Sequence, residues 1–469
     1  MAYEGERLCR GRAGGGPVSR SSTAAPGLQA VPYRDNPMAH YRRLADLPAP
    51  VLLDSAGAGR FDLVAADPVP GHTLRLPAAP DALAAGRFVA ALAALHGRRA
   101  RCAAPVPGLP FCGGLIGFIG YDAALPAHGL RSRARTGDAP AALVHDYPWA
   151  LVQDRCRREA WLVARPGTSS GLLRDLLGRL RAPLPRDARV FALGTPFESN
   201  LDAAAYRRAF DRVRDYIDAG DCYQVNLAQR FSAPFEGDPL AAYERLRSRG
   251  RAPFSVYLPL APGQVLFSLS PERFLAVEDR RVLTQPIKGT RPRGITPAAD
   301  AAIAQALRTS AKDRAENLMI VDLLRNDLGR SCRPGSIRVD ELFALKSFPA
   351  VHHLVSTIRG ELAGGSSPVT LLRDSLPGGS ITGAPKRRAM EIIHELEPDP
   401  RQAYCGTVFY LDDSGRMDSS ILIRSFLAQA GRLYCWGGGG LVADSQADEE
   451  YAETLAKVGA HLRQLESTQ

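Results

Sequence analysis

From Cys222 onward, strand follows strand with few helices between them: CYQVNLAQRFSA (222–233), FSVYLPL (254–260), QVLFSLSPERFLAV (264–277) and RRVLTQPIKG (280–289). Parallel strands each need a long crossover, usually a helix, so runs of this kind pair antiparallel. The order therefore predicts an α+β fold with large, mostly antiparallel sheets, and argues against a doubly wound one. Three helices stand out. In AAAYRRAFDRVRDYIDAGD, Tyr206, Phe210, Val213 and Ile217 recur at helical spacing and Gly220 suits the stop. KDRAENLMIVDLLRNDL spans 312–328 and closes at Gly329, and a third helix opens near residue 446 with Ser445 and Asp448 placed as a capping box.

The earlier part of the chain is more mixed. WALVQD and EAWLVAR read as a hairpin, and FCGGLIGFIGYD as a buried strand pair in close backbone contact. The expected layout is a disordered arm over 1–30, an N-terminal region over 31–190 and a catalytic region over 191–466, joined through the arginine- and leucine-rich segment 171–187. The net charge of +10 comes from dispersed side chains rather than basic runs interleaved with aromatics, which argues against nucleic acid as a partner. Eight scattered cysteines without a CxxC give no zinc site. No signal peptide and no membrane-spanning apolar run is present, so the expected location is cytoplasmic, with no membrane partner.

Two glycine motifs invite nucleotide readings and fail them. GGGGLVA (437–443) contains G-x-G-x-x-A, but too little chain follows to build the βαβ unit that a dinucleotide needs. In PGGSITGAPKRRAM, two residues part the glycine from Lys386, which breaks the phosphate-loop order. Both remain good cradles for a carboxylate. Several charged residues are ambiguous. Glu316 shares a helix face with Ile320 and Leu323, either as a rim glutamate paired with Lys312 or Arg314 or as a functional carboxylate. Glu450, Glu453 and Lys457 lie on one face of the last helix, where acidic residues also suit the helix dipole. With Glu316 they offer oxygen ligands of the kind Mg²⁺ takes. Glu272 in SPERF is a candidate general acid or an exposed strand-end glutamate, and His353 a core histidine or a site residue.

Taken in order, YQVNLAQ, SPERF, QPIKGTRPRG, DRAENLMIVDLLRNDLGR, HHLVSTIRG, PGGSITGAPKRRAMEII, YCGTVFYL and GGGGLVADS…EEYAETLAK resemble the chorismate-utilising enzymes. That family includes anthranilate, aminodeoxychorismate, isochorismate and salicylate synthases. The resemblance implies two mostly antiparallel β-sheets face to face with helices outside, a large α/β sandwich. It implies chorismate as substrate and Mg²⁺ held by Glu316, Glu450 and Glu453. Thr290, His353, Thr382, Tyr404, Arg424, Gly438, Gly439 and Lys457 would surround the substrate. Ser55, in Leu53-Asp54-Ser55, matches a tryptophan-binding motif of the family, in which a glutamate commonly stands where this chain has Asp54.

Two positions choose among the reactions. Water-using members carry a lysine where this chain has Gln224, and a neutral amide cannot act as a general base. PIKGT, with Lys288, resembles the aminodeoxychorismate-forming branch, whereas anthranilate synthases, the alternative, typically read PIAGT. A lysine nucleophile fits amination at C4 with retention, because it splits one hard displacement into two easier ones. Burial, and Arg291 and Arg293 where they face the site, would lower the Lys288 pKa. Glu272 would be the general acid. No glutaminase nucleophile elbow is found, so the expected ammonia source is a separate glutaminase subunit, a class I glutamine amidotransferase.

Overall fold

The computed structural model of the chain describes residues 27–100, 106–135, 137–184, 189–348 and 351–467. Two antiparallel sheets of 13 and 10 strands make up its body. Strand order in the first runs Leu28–Val31, Glu159–Ala164, Trp149–Asp154, Phe61–Ala65, Val51–Asp54, Phe254–Ala261, Gln264–Ser270, Ser425–Gln429, Arg432–Leu441, Gln224–Gly237, Glu198–Ser199. The second runs Ile287–Pro292, Val351–Glu361, Arg281–Thr284, Arg273–Glu278, Met417–Ile421, Thr407–Asp412, Gly114–Ile119, Ala142–Tyr147, Thr73–Leu76. Strands from before and after residue 190 therefore share both sheets, each part forming one contiguous block, and the blocks meet at Val51–Asp54 against Phe254–Ala261 and at Gly114–Ile119 against Thr407–Asp412.

Strand alternation builds the layers. In Gln264–Ser270, Leu266 enters the larger apolar core with Leu275, Phe118 and Val408 of the second sheet. Its neighbours Val265, Phe267 and Leu269 turn to the opposite face, where they pack with Tyr243, Phe426 and Leu462. Those last contacts seat the helices Pro239–Arg249 and Ala447–Glu466 on the outside of the first sheet. A side chain that repeats every second residue can serve two cores at once, which is why these strands read as nearly continuous apolar runs.

Local expectations fare unevenly. The Trp149–Asp154 and Glu159–Ala164 hairpin forms in register. FCGGLIGFIGYD gives one strand, Gly114–Ile119, instead of two, with its close approach at Gly117, where a Cβ would lie 2.1 Å from the Leu143 carbonyl oxygen. The expected join at 171–187 is largely a helix, Ser170–Arg181, that buries Leu176 and Leu180. The expected arm falls mostly outside the described residues, but from Leu28 the chain is already a strand paired with Glu159–Ala164.

Candidate active site

The site gathers where the chain crosses from one sheet to the other. Strand Gln264–Ser270 belongs to the first sheet and Arg273–Glu278 to the second, so Pro271 and Glu272 form the crossing. Glu272 is buried there and accepts a hydrogen bond from Ser380 Oγ at 3.0 Å. Burial pushes its carboxyl up to about 7, against the lowering effect of Lys288 and of the Ser380 hydrogen bond.

Lys288 reaches the same place from the edge strand Ile287–Pro292, which carries a bulge between Lys288 and Thr290. Gly289 makes the bulge at φ +80°, and a Cβ there would collide with Leu307 and Asp313. Lys288 Nζ donates to Glu316 Oε1 at 2.8 Å and to the Ser380 carbonyl at 3.3 Å. Burial alone would lower its pKa, but Glu316, by charge and hydrogen bond, with Glu272 and Glu453 behind it, brings the net value above that of an ordinary lysine. The expected lowering by arginines does not occur. Arg291 turns to Asp313 at 3.0 Å and Arg293 to Asp300 at 2.6 Å, so each is neutralised by its own partner.

Glu316 projects from the helix Ala311–Gly329, whose N-cap is Ser310. Burial would raise its pKa, but Lys288, then Lys457 and Lys312, hold it below the ordinary glutamate value. Gln224 Nε2 also points at Glu316 Oε1, at 3.4 Å. Glycines on the strand Arg432–Leu441 let these groups close in. A Cβ at Gly440 would lie 2.1 Å from Gln224 Nε2 and 3.1 Å from Glu316 Oε1. At Gly439 it would lie 3.1 Å from Glu450 Oε2. The glycine run thus leaves a bare floor between two carboxylates from different helices, with oxygen donors that suit a hard divalent cation.

The helix Ala447–Glu466 supplies the remaining members. Its N-cap is Gln446, and Ser445 does not form the expected capping box. Ser445 Oγ instead donates to Glu450 Oε1 at 2.6 Å. Lys457 Nζ bonds the Gly438 carbonyl at 2.9 Å and Glu453 at 2.7 Å. Among the described residues, no three His, Cys, Asp or Glu side chains form a ready-made metal cage.

Other expected residues line the same region with varied freedom. Thr290 Oγ1 and His353 Nδ1 are 2.8 Å apart across adjacent strands. Burial first, then Arg424, pushes His353 down to about 4, so its imidazole is neutral near pH 7. Tyr404 stacks on Trp436, with ring centroids 5.9 Å apart. Thr382 spends its hydroxyl on the Gly378 carbonyl at 3.0 Å and accepts Asn226 N–H at its own carbonyl.

Ser55 lies elsewhere. It donates to Asp62 at 2.7 Å, beside a separate cavity lined by Leu53, Phe61, Phe254 and Tyr410. Asp54 also lines that cavity, and its carboxylate is held by Arg247 and the Tyr243 hydroxyl. Sequence reasoning missed Ser380, which binds both Lys288 and Glu272. Its signal lies in PGGSITGAPK, between the glycines and Thr382. It also missed Asn226, whose buried Oδ1 has no partner.

Comparison with known proteins places these features. The family of chorismate binding enzymes matches residues 62–463. Aminodeoxychorismate synthase component 1 of Klebsiella aerogenes is 44% identical over 457 residues, covering 94% of this chain and 100% of that protein. Anthranilate synthase component 1 of Streptomyces coelicolor is 37% identical over 429 residues, 87% of this chain and 81% of that one. The crystal structure of anthranilate synthase component I from Streptococcus pneumoniae aligns with a TM-score of 0.75 at 29% identity, over 86% of this chain and 92% of that one.

Proposed function

The chain belongs to the family of chorismate binding enzymes, and we propose that it aminates chorismate to 4-amino-4-deoxychorismate, the step that precedes 4-aminobenzoate in folate synthesis. The observation that carries this reading is Lys288, its side chain only 12% exposed, set between Glu272 and Glu316 at the sheet crossing. Lys288 rests as an ammonium paired with Glu316 and must first shed a proton to water. The neutral amine then adds to C2 of the ring while Glu272, protonated near neutral pH, gives its proton to the departing 4-hydroxyl, which leaves as water. Ammonia then attacks C4, the C2–N bond breaks, and the lysine amine is released unchanged. Arginine could not replace Lys288, since a guanidinium stays protonated.

Glu316, Glu450 and Glu453 would hold Mg²⁺, which supplies positive charge against the ring carboxylate. Lys457, Arg424 and the backbone at Gly438 and Gly439 would receive the substrate carboxylates, with Tyr404, Thr290, His353 and Thr382 shaping the pocket. The relatives are named component 1, which implies a second component. We assign it the delivery of ammonia as a glutaminase subunit. Ser55 and its cavity would form a tryptophan site of the family type, distinct from the reacting centre.

The test incubates the chain with chorismate, Mg²⁺ and an ammonium salt, then adds an aminodeoxychorismate lyase. 4-Aminobenzoate is the expected product. Anthranilate would move the chain to the anthranilate synthases, and unchanged chorismate would sink both readings.

A further inference from the structure

Only five of the chain's fifty-nine basic residues are lysines, and each is paired with a carboxylate. Three of the five sit one apiece on the three carboxylates assigned above to Mg²⁺. Lys288 holds Glu316 at 2.8 Å, Lys312 approaches Glu450 at 3.6 Å, and Lys457 holds Glu453 at 2.7 Å. We propose that these three ammonium groups are displaceable counter-ions, so that a divalent cation competes with them for the same oxygens and parts Lys288 from Glu316 as it binds. The inference rests on the metal role proposed above.

Several observations support it. Carboxylates brought to one pocket repel one another, and without a cation nearby their mutual repulsion would hold the pocket open. Elsewhere among the described residues, buried carboxylates are held mostly by arginine: Asp146 by Arg99 and Arg165, Glu397 by Arg401, Asp54 by Arg247. A guanidinium can grip both oxygens of a carboxylate at once, whereas the Lys288 ammonium is a compact point charge that bonds one oxygen of Glu316. Lys288 is thus a cation that can let go. At Glu316, Lys288 and Gln224 both address Oε1, the oxygen nearest the glycine floor, so a cation reaching that oxygen meets Lys288 there. Exchange at Glu316 would link occupancy of the carboxylates to release of the nucleophile, in a chain where neither Arg291 nor Arg293 is placed to do it.

Mn²⁺ serves as the probe, its affinity for the substrate-free full-length chain read by electron paramagnetic resonance of the free ion and by calorimetry. Lys288→Met and Lys312→Met should each tighten Mn²⁺ binding on the order of tenfold, as removal of a unit charge beside a divalent ion predicts. Lys288→Arg and Lys312→Arg should loosen it, because the fork competes harder for the carboxylate. Lys346→Met, whose ammonium is paired with Glu341 and with none of the three carboxylates, should leave it unchanged. Arginine variants that bind Mn²⁺ as the parent does, beside tighter methionine variants, would reduce the effect to charge at a distance and overturn displacement. Methionine variants with unaltered affinity, or no binding in any variant, overturn it as well. Glu316→Gln judges the metal role by itself: unchanged affinity there removes the premise, while weakened affinity leaves the lysine variants to decide. The Lys312 side chain is 56% exposed, so its replacements keep the fold, which thermal unfolding checks.

Discussion

Glu272 owes its retained proton to its place in the chain. Two strands of different sheets meet at Pro271–Glu272, and the crossing puts a carboxyl where water is excluded from both sides. Its pKa of about 7 gives the sign of the pH dependence. The protonated acid is present below pH 7 and lost above it, so turnover at fixed free ammonia should fall as pH rises through about 7. Glu272→Gln should flatten that limb and lower kcat by roughly 10²–10⁴, the usual contribution of a positioned proton donor. A limb that survives unchanged in the variant would assign it to another group. For Lys288, replacement by alanine should remove most amination while chorismate still binds, as measured by ligand fluorescence or calorimetry. Full amination in Lys288→Ala would end the covalent proposal and leave the family untouched. The sequence points to Lys288 by its motif and to Glu272 as a candidate acid, and the structure brings the two together around Ser380. The state of Lys288 was not readable, because its partner Glu316 lies 28 residues away on a helix whose direction no local pattern reveals.

The helices that frame the site are fixed to one another by a second buried pair. Lys386, at the start of the helix Lys386–Leu396, donates to both oxygens of Asp327 near the end of Ala311–Gly329, at 2.6 and 2.7 Å. Burial raises Asp327 to about 6 against the pull of Lys386, and burial likewise lowers Lys386. The pair adds little to net stability, yet breaking it strands a buried charge. Lys386→Met should therefore cost about 3–5 kcal/mol in urea unfolding, and adding Asp327→Leu should recover part of that loss. A loss below 1 kcal/mol would mean that water reaches Asp327. Element existence was legible wherever periodicity was strong: the helix at 203–218 carries Tyr206, Phe210 and Val213 inward as its spacing predicts. Element ends were less so. Ser445 has the right spacing for a capping box but serves Glu450, since a buried carboxylate is a stronger demand on a hydroxyl than a helix end open to water.

At the scale of the whole molecule, the antiparallel sheets follow from strands in unbroken succession, but their order does not. Strand pairing is non-local, and the hydrophobic pattern sets which face a strand buries without naming its neighbour. Thus Val51–Asp54 pairs with Phe254–Ala261 and Gly114–Ile119 with Thr407–Asp412, joining regions about two hundred residues apart or more in the first case and nearly three hundred in the second. The consequence is physical. In a chain reduced to residues 191–469, Phe254–Ala261 and Thr407–Asp412 would become sheet edges with unpaired backbone groups and bare apolar faces. Leu266, Leu275 and Phe409 would also lose Phe118, Val144 and Leu63, with which they share one core. Such a fragment retains every residue proposed to act on chorismate, yet it should lack a cooperative thermal transition, bind a hydrophobic dye and fail to aminate. Co-expression with residues 1–190 should restore activity if the two parts pair as they do in the intact chain. A fragment that unfolds cooperatively and turns over by itself would show that residues 191–469 carry their own core, and that the two shared sheets contribute less than their continuity implies.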